Sequence, residues 1–173
     1  YLHESTEQDY SEFSLPGAFN HQQWLLTLEN PRGGETYQSP HWSERNVLVH
    51  ARTTDRTTTG LESKKVFFVE EVQSDWLQAA REKGFRQPVS SVDTTNWTAE
   101  RVATHTWEVR DAEGRMVDRV FMHDGLPEGD VINQAAFSQQ HELPPRAPFD
   151  KTDHWVALAL KSMLIQAAQR GYD

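Results

Sequence analysis

Residues 64–84, KKVFFVEEVQSDWLQAAREKG, constrain the fold more than any other stretch of this chain. Two lysines open an apolar run whose second half turns polar, after which the chain takes helical spacing and stops at Gly84. The aromatic and β-branched residues Val66 to Val69 suit a strand. A glutamate pair inside such a strand needs partners, because stripping water from a bare carboxylate costs several kcal/mol. Alternation places Phe67, Val69, Glu71 and Gln73 on one face and Val66, Phe68, Glu70 and Val72 on the other. Both faces begin apolar, which predicts a central strand with one glutamate on each face. Ser74 or Asp75 is placed to cap the following helix, and Gly84 to end it.

The neighbouring segments build a sheet around this strand. Asn46 to Thr53 predicts a second strand, with Val47, Val49 and Ala51 opposite Leu48, His50 and Arg52. The Thr-rich, Gly-containing stretch 54–63 turns the chain, so the two strands pair antiparallel. Trp24 to Glu29 fits a strand better than a helix, and Asn30-Pro31-Arg32-Gly33-Gly34 ends it. Residues 1–21 have no period and predict an arm that packs through Tyr10, Phe13 and Phe19, while 37–44 reads as a loop.

In the second half, residues 86–103 look irregular and 104–121 have the form of a β-hairpin around Gly114. The region 86–146 therefore reads as an insertion with limited core of its own. A proline-rich approach at 143–150 leads to the strongest helix, Lys151 or Thr152 to Arg170, with Asp150 and Asp153 at its first turn and Gly171 beyond its end. Its polar stripe is narrow, so Trp155, Val156, Leu158, Leu160, Met163, Leu164 and Ile165 are expected to be mostly covered. The fold class expected is α+β: a mainly antiparallel sheet, one long buried helix, a shorter helix and a β-hairpin insertion. Residues 1–173 are expected to form one domain, and the ends, Tyr1 without a methionine and Gly171-Tyr172-Asp173, predict a fragment of a longer chain.

Composition narrows the functional classes. Seventeen basic against 26 acidic residues give a net charge of -9, which opposes nonspecific binding to nucleic acid or anionic membrane. No segment approaches the length of an apolar membrane span. Without cysteine there is no disulfide framework, thiolate nucleophile or thiolate zinc site. The eight histidines form neither H-x-x-x-H nor H-x-H, so no metal is expected. No phosphate loop, dinucleotide fingerprint or G-x-S-x-G elbow occurs, and no cofactor is expected.

The strand-to-helix junction is the candidate site. Glu70, Glu71, Asp75 and His50 are the candidate catalytic residues, with Glu71 and Asp75 as an acid and base pair. His50 or Arg52 on the neighbouring strand equally supplies a structural ion-pair partner, and Ser74 and Asp75 equally serve as caps. Both readings stand on the residues alone. Trp42, Trp76 and Trp155 suit either a pocket for a flat ligand or core anchors.

The segments SPHWSERNVLVHARTTDR (39–56), KKVFFVEEVQSDWLQAAREKGF (64–85) and APFDKTDHWVALALKSMLIQAAQRGYD (147–173), in that order, resemble a domain of very long phage and prophage proteins, one of the large polyvalent-protein-associated domains. The resemblance covers about two fifths of the chain. It singles out His41, Trp42, His50, Arg52, Glu70, Glu71, Gln73, Ser74, Asp75, Trp76 and Lys161. Of these, His41, Trp42, Arg52, Gln73, Ser74 and Trp76 are the candidate ligand-binding residues. It implies a module acting in virion assembly, genome delivery or early host interaction, in the virion or the bacterial host cytoplasm, with other modules of the same chain or phage and host proteins as partners. It also implies a further strand after Asp173. Two enzyme readings compete: an acetyltransferase-like acyl transferase, although no Q/R-x-x-G-x-G/A loop follows Glu71, and a hydrolase or transferase using Glu71 with His50 or Asp75.

Overall fold

A computed structural model describes residues 1–6, 11–29, 36–59 and 63–172. Strands β1 (Leu2–Ser5), β2 (Phe19–Thr27), β3 (Val47–Thr57) and β4 (Lys65–Gln73) form one antiparallel sheet in chain order. Helix α1 (Asp75–Lys83) follows β4 directly. Strands β5 (Thr98–Ala103), β6 (Thr106–Arg110) and β7 (Met116–Phe121) form a second antiparallel sheet, followed by helices α2 (Glu128–His141) and α3 (Thr152–Gln169). The α+β class expected from the sequence is the one observed. Two compact units result, residues 1–81 with 145–173, and residues 82–144. No helix among the described residues is long and apolar enough to cross a membrane.

In the first unit, α3 covers one face of the sheet. Trp24, Ala51 and Met163 are buried there, with Leu2, Phe67, Val69 and Val72 packed around them. Leu25, Trp42 and Val47 form a second buried cluster. Trp76 is fully buried, stacked on Tyr37 at 5.0 Å, and its indole N–H donates to the Pro145 carbonyl at 2.8 Å.

The position of β4 corrects the sequence reading. It lies at the edge of the sheet, not its centre. Its two apolar faces have separate covers: α3 packs over Phe67 and Val69, and the Arg56 guanidinium lies 4.3 Å from the Phe68 ring centre. A register shift between Arg52 and Thr53 inserts one extra residue in β4, so that Arg52 faces Glu71 while Thr53 faces Val69. This β-bulge reverses the alternation between Val69 and Glu71. Both glutamates consequently meet partners from Arg52, Thr54 and Arg56, alternate residues of β3 that share a face. One glutamate per face was the expectation, and the bulge is what overturns it.

Other boundaries also move. The amino-terminal arm contains β1 and the start of β2, and Phe13 is 65% exposed rather than packed in the core. Tyr10, the Asn30–Gly34 stop, residues 60–62 of the expected turn and Asp173 lie outside the described residues. β3 continues to Thr57, past the expected end at Thr53, and beyond it the Thr58 N–H donates to the Lys64 carbonyl at 3.0 Å. Gly84 ends α1 with a φ of +85°, a value that glycine adopts without a Cβ clash. Helix α3 is only partly covered: Trp155, Ala159 and Met163 are buried, whereas Leu160, Leu164 and Ile165 are exposed.

The second unit holds more than a hairpin. Strand β5 pairs with β6 in the segment expected to be irregular, and α2 covers the sheet. Val109, Val120, Val131 and Ala135 are buried together, with Trp97, Trp107 and Ile132 around them. That is a core, contrary to the expectation of an insertion with little of its own.

Candidate functional site

The site begins with a loop held at both ends. The Tyr37 N–H donates to Asn46 Oδ1 and the Asn46 N–H to the Tyr37 carbonyl, at 2.9 and 2.8 Å. Asn46 takes a positive φ of 59°, a conformation that asparagine tolerates better than most residues. Within the loop, Gln38 Nε2 donates to the Trp42 carbonyl at 2.5 Å. The Ser39 hydroxyl accepts the His41 N–H at 3.1 Å, a local turn that presents the imidazole.

Helix α1 contributes one carboxylate at its first residue. Asp75 Oδ2 accepts the Ser39 hydroxyl at 2.6 Å and lies 3.1 Å from His41 Nδ1. Its other oxygen lies 4.0 Å from His50 Nδ1 on β3. One carboxylate thus faces two imidazoles and fixes the loop against the helix. Burial pulls the His50 pKa below its ordinary value despite the opposing pull of Asp75 and Glu71, so the ring is neutral near pH 7. The Tyr37 hydroxyl is pushed up to about 12 by burial and by the Asp75 charge.

The bulge supplies the other half of the site. Glu71 Oε2 accepts Arg52 Nε at 2.6 Å, and Glu71 Oε1 accepts the Gln73 carboxamide. Arg52, Glu71 and Gln73 line a pocket of about 290 Å³ together with Phe13, His41, Trp42 and His50. The Trp42 and His50 rings are 5.3 Å apart, and neither Trp42 Nε1 nor His50 Nδ1, both buried, has a hydrogen-bond partner among the described residues.

The sequence-nominated residues therefore divide. His41, Trp42, His50, Arg52, Glu71 and Gln73 converge on the pocket, and Asp75 acts through His41 and Ser39. Glu70 does not belong to it. Its carboxylate, 5% exposed, accepts Thr54 Oγ1 and Arg56 Nη2, both at 2.8 Å. Burial alone would raise its pKa, but the Arg56 and Thr54 bonds outweigh burial and hold it low. Ser74 accepts the Leu77 N–H at 3.3 Å as a cap, Trp76 is core, and Lys161 is an exposed residue of α3 outside the pocket lining. Ser39 and Phe13 were not among the site residues expected from sequence, where Phe13 was read only as a packing residue of the arm; the S-x-H spacing that lets Ser39 brace His41 was the available signal for the first.

Glu71 has both oxygens engaged, which suits it to hold Arg52 and Gln73 in place rather than to move a proton. The other groups that line the pocket are rings, a guanidinium and a carboxamide. Among the described residues no group of three or more His, Asp or Glu is arranged to hold a metal ion. Compared with known proteins, the chain matches no family model, no curated protein and no solved structure.

Proposed function

We propose that this chain is a ligand-binding module of a large phage or prophage protein, and that the pocket between the His41 loop and the end of β4 takes a small polar molecule. The observation that carries the reading is pre-organisation: side chains from the loop, β3 and β4 are already held around one open pocket by Asp75 and Glu71. Freezing such groups before binding removes an entropic cost that a ligand would otherwise bear. The setting in a virion-associated or host-cytoplasmic protein, with other modules of the same chain as neighbours, rests on the sequence resemblance alone.

A second reading has one observation in its favour. A neutral, buried His50 facing the Asp75 carboxylate at 4.0 Å is suited to accept a proton from a bound substrate, as in an acid–base enzyme. The ligand comes first in either case.

A thermal-shift panel of nucleosides, sugars, amino acids and small organic acids tests the reading. At least one member is expected to stabilise the wild type, by about 2.7 kcal/mol at a hundredfold excess over Kd. Asp75→Asn, which removes the charge facing both imidazoles, is expected to weaken that effect. A panel without a single stabilising compound would contradict the reading and leave the E-E-x-Q-S-D-W string as a folding signature.

A further inference from the structure

The chemistry of the pocket narrows the ligand class. Resting on the ligand-binding reading above, we propose that the occupant is a planar nitrogen heterocycle, the base of a nucleoside, with its face against ring side chains and its edge towards Arg52 and Gln73.

Two groups of lining residues carry this inference. Phe13, His41, Trp42 and His50 contribute rings, and Phe13 is 65% exposed. Flat ligands find such surfaces favourable, because a π-face stacks on aromatic side chains whatever its substituents. Arg52, Glu71 and Gln73 contribute three planar groups joined into one row through the two Glu71 oxygens. A guanidinium offers donors in a fixed fork, and a carboxamide offers a donor and an acceptor side by side. Rings together with a short polar row match a ligand whose face is apolar and whose edge alternates donors and acceptors. A sugar carries hydroxyls around its whole rim and an aliphatic ligand has no use for the row.

Size and charge limit the source of the base. About 290 Å³ lies at the lower end of small-molecule pockets, which run roughly 300–1,000 Å³, and admits one ring system with a modest substituent. The net charge of -9 opposes a long polyanion. A free nucleoside fits both facts better than a nucleic-acid strand.

Calorimetric titration of the whole chain tests this with adenosine, guanosine, cytidine and uridine, with glucose and glutamate as comparison ligands and a short single-stranded oligonucleotide as a further arm. One or more nucleosides are expected to bind saturably. Phe13→Ala, which removes one of the lining rings, is expected to weaken binding about tenfold, and Gln73→Leu to shift the preference among the four bases. Tighter binding of the oligonucleotide would retain the base as the recognised group and make its source a strand. Binding of glucose or glutamate but of no nucleoside would overturn this inference while leaving the ligand-binding reading intact. No binding by any of these, together with a silent thermal-shift panel, would overturn both. Nucleoside binding unaffected by either substitution would overturn the assignment of the pocket.

Discussion

Glu70 and Glu71 are adjacent in sequence and do different work, because each meets a different arginine of β3. Glu70 is sealed against Arg56 and Thr54, while Glu71 lines the pocket with Arg52 and Gln73. Their environments also set the response to acid. Glu70 and Asp55 are both held below the ordinary carboxylate range; for Asp55, burial would raise the value, but bonds from Tyr172, Asn20 and Lys65 outweigh it. Carboxylates with lowered folded values contribute stability that is complete above their unfolded values, about 4, and lost as pH falls through the folded ones. His50 is also lowered, so its contribution is complete above its unfolded value of about 6.5 and is lost as pH falls below that. Urea unfolding midpoints are therefore expected to fall in two stages on acidification, the first of them absent in His50→Gln. A wild-type midpoint unchanged between about pH 7 and pH 5 would contradict this account of His50. Residue types at the site were legible in the sequence, since the string HWSERNVLVHAR and the string EEVQSD contain six of the lining residues. Their roles were not, because which oxygen holds which donor depends on side chains brought together from separate segments.

At the scale of elements, the β-bulge decides the site. Strict alternation separates Glu70 from Glu71 across the sheet, and one inserted residue returns both to the β3 arginines. Nothing in the local composition marks the insertion, since it lacks the glycine that often signals a bulge. Arg56 shows how much the paired strands depend on it: it holds Glu70, covers Phe68 and donates to the carbonyls of Leu15 and Pro16. Arg56→Ala is expected to cost about 3–5 kcal/mol in chemical unfolding, because it leaves a buried carboxylate without its charged partner, held only by the Thr54 hydroxyl and the Leu15 backbone N–H. A loss below about 1 kcal/mol would place this pair among weak surface bridges. The strands β2, β3, β4 and the helices α1 and α3 were legible because their apolar spacing is strong. Helix α2 was not: its buried residues are Val131, Ala135, Ala136 and Gln140, a stripe of small side chains with little hydrophobic contrast. Its start at Pro127-Glu128 was the signal available. β1 was hidden for a related reason, being four residues with polar neighbours, recognisable only through its pairing with β2.

At the scale of the molecule, the buried clusters are divided between two compact units, and the pocket residues all belong to the first. The second unit has its own core around Val109 and Val131. That His41, His50 and Trp42 surround a ligand is open to side-chain nitrogen–proton NMR during titration with the best compound of the panel. Saturable shifts of the His41 and His50 imidazoles and of the Trp42 indole are expected. Shifts confined to Trp97 and Trp107, or none at any saturating concentration, would contradict that placement.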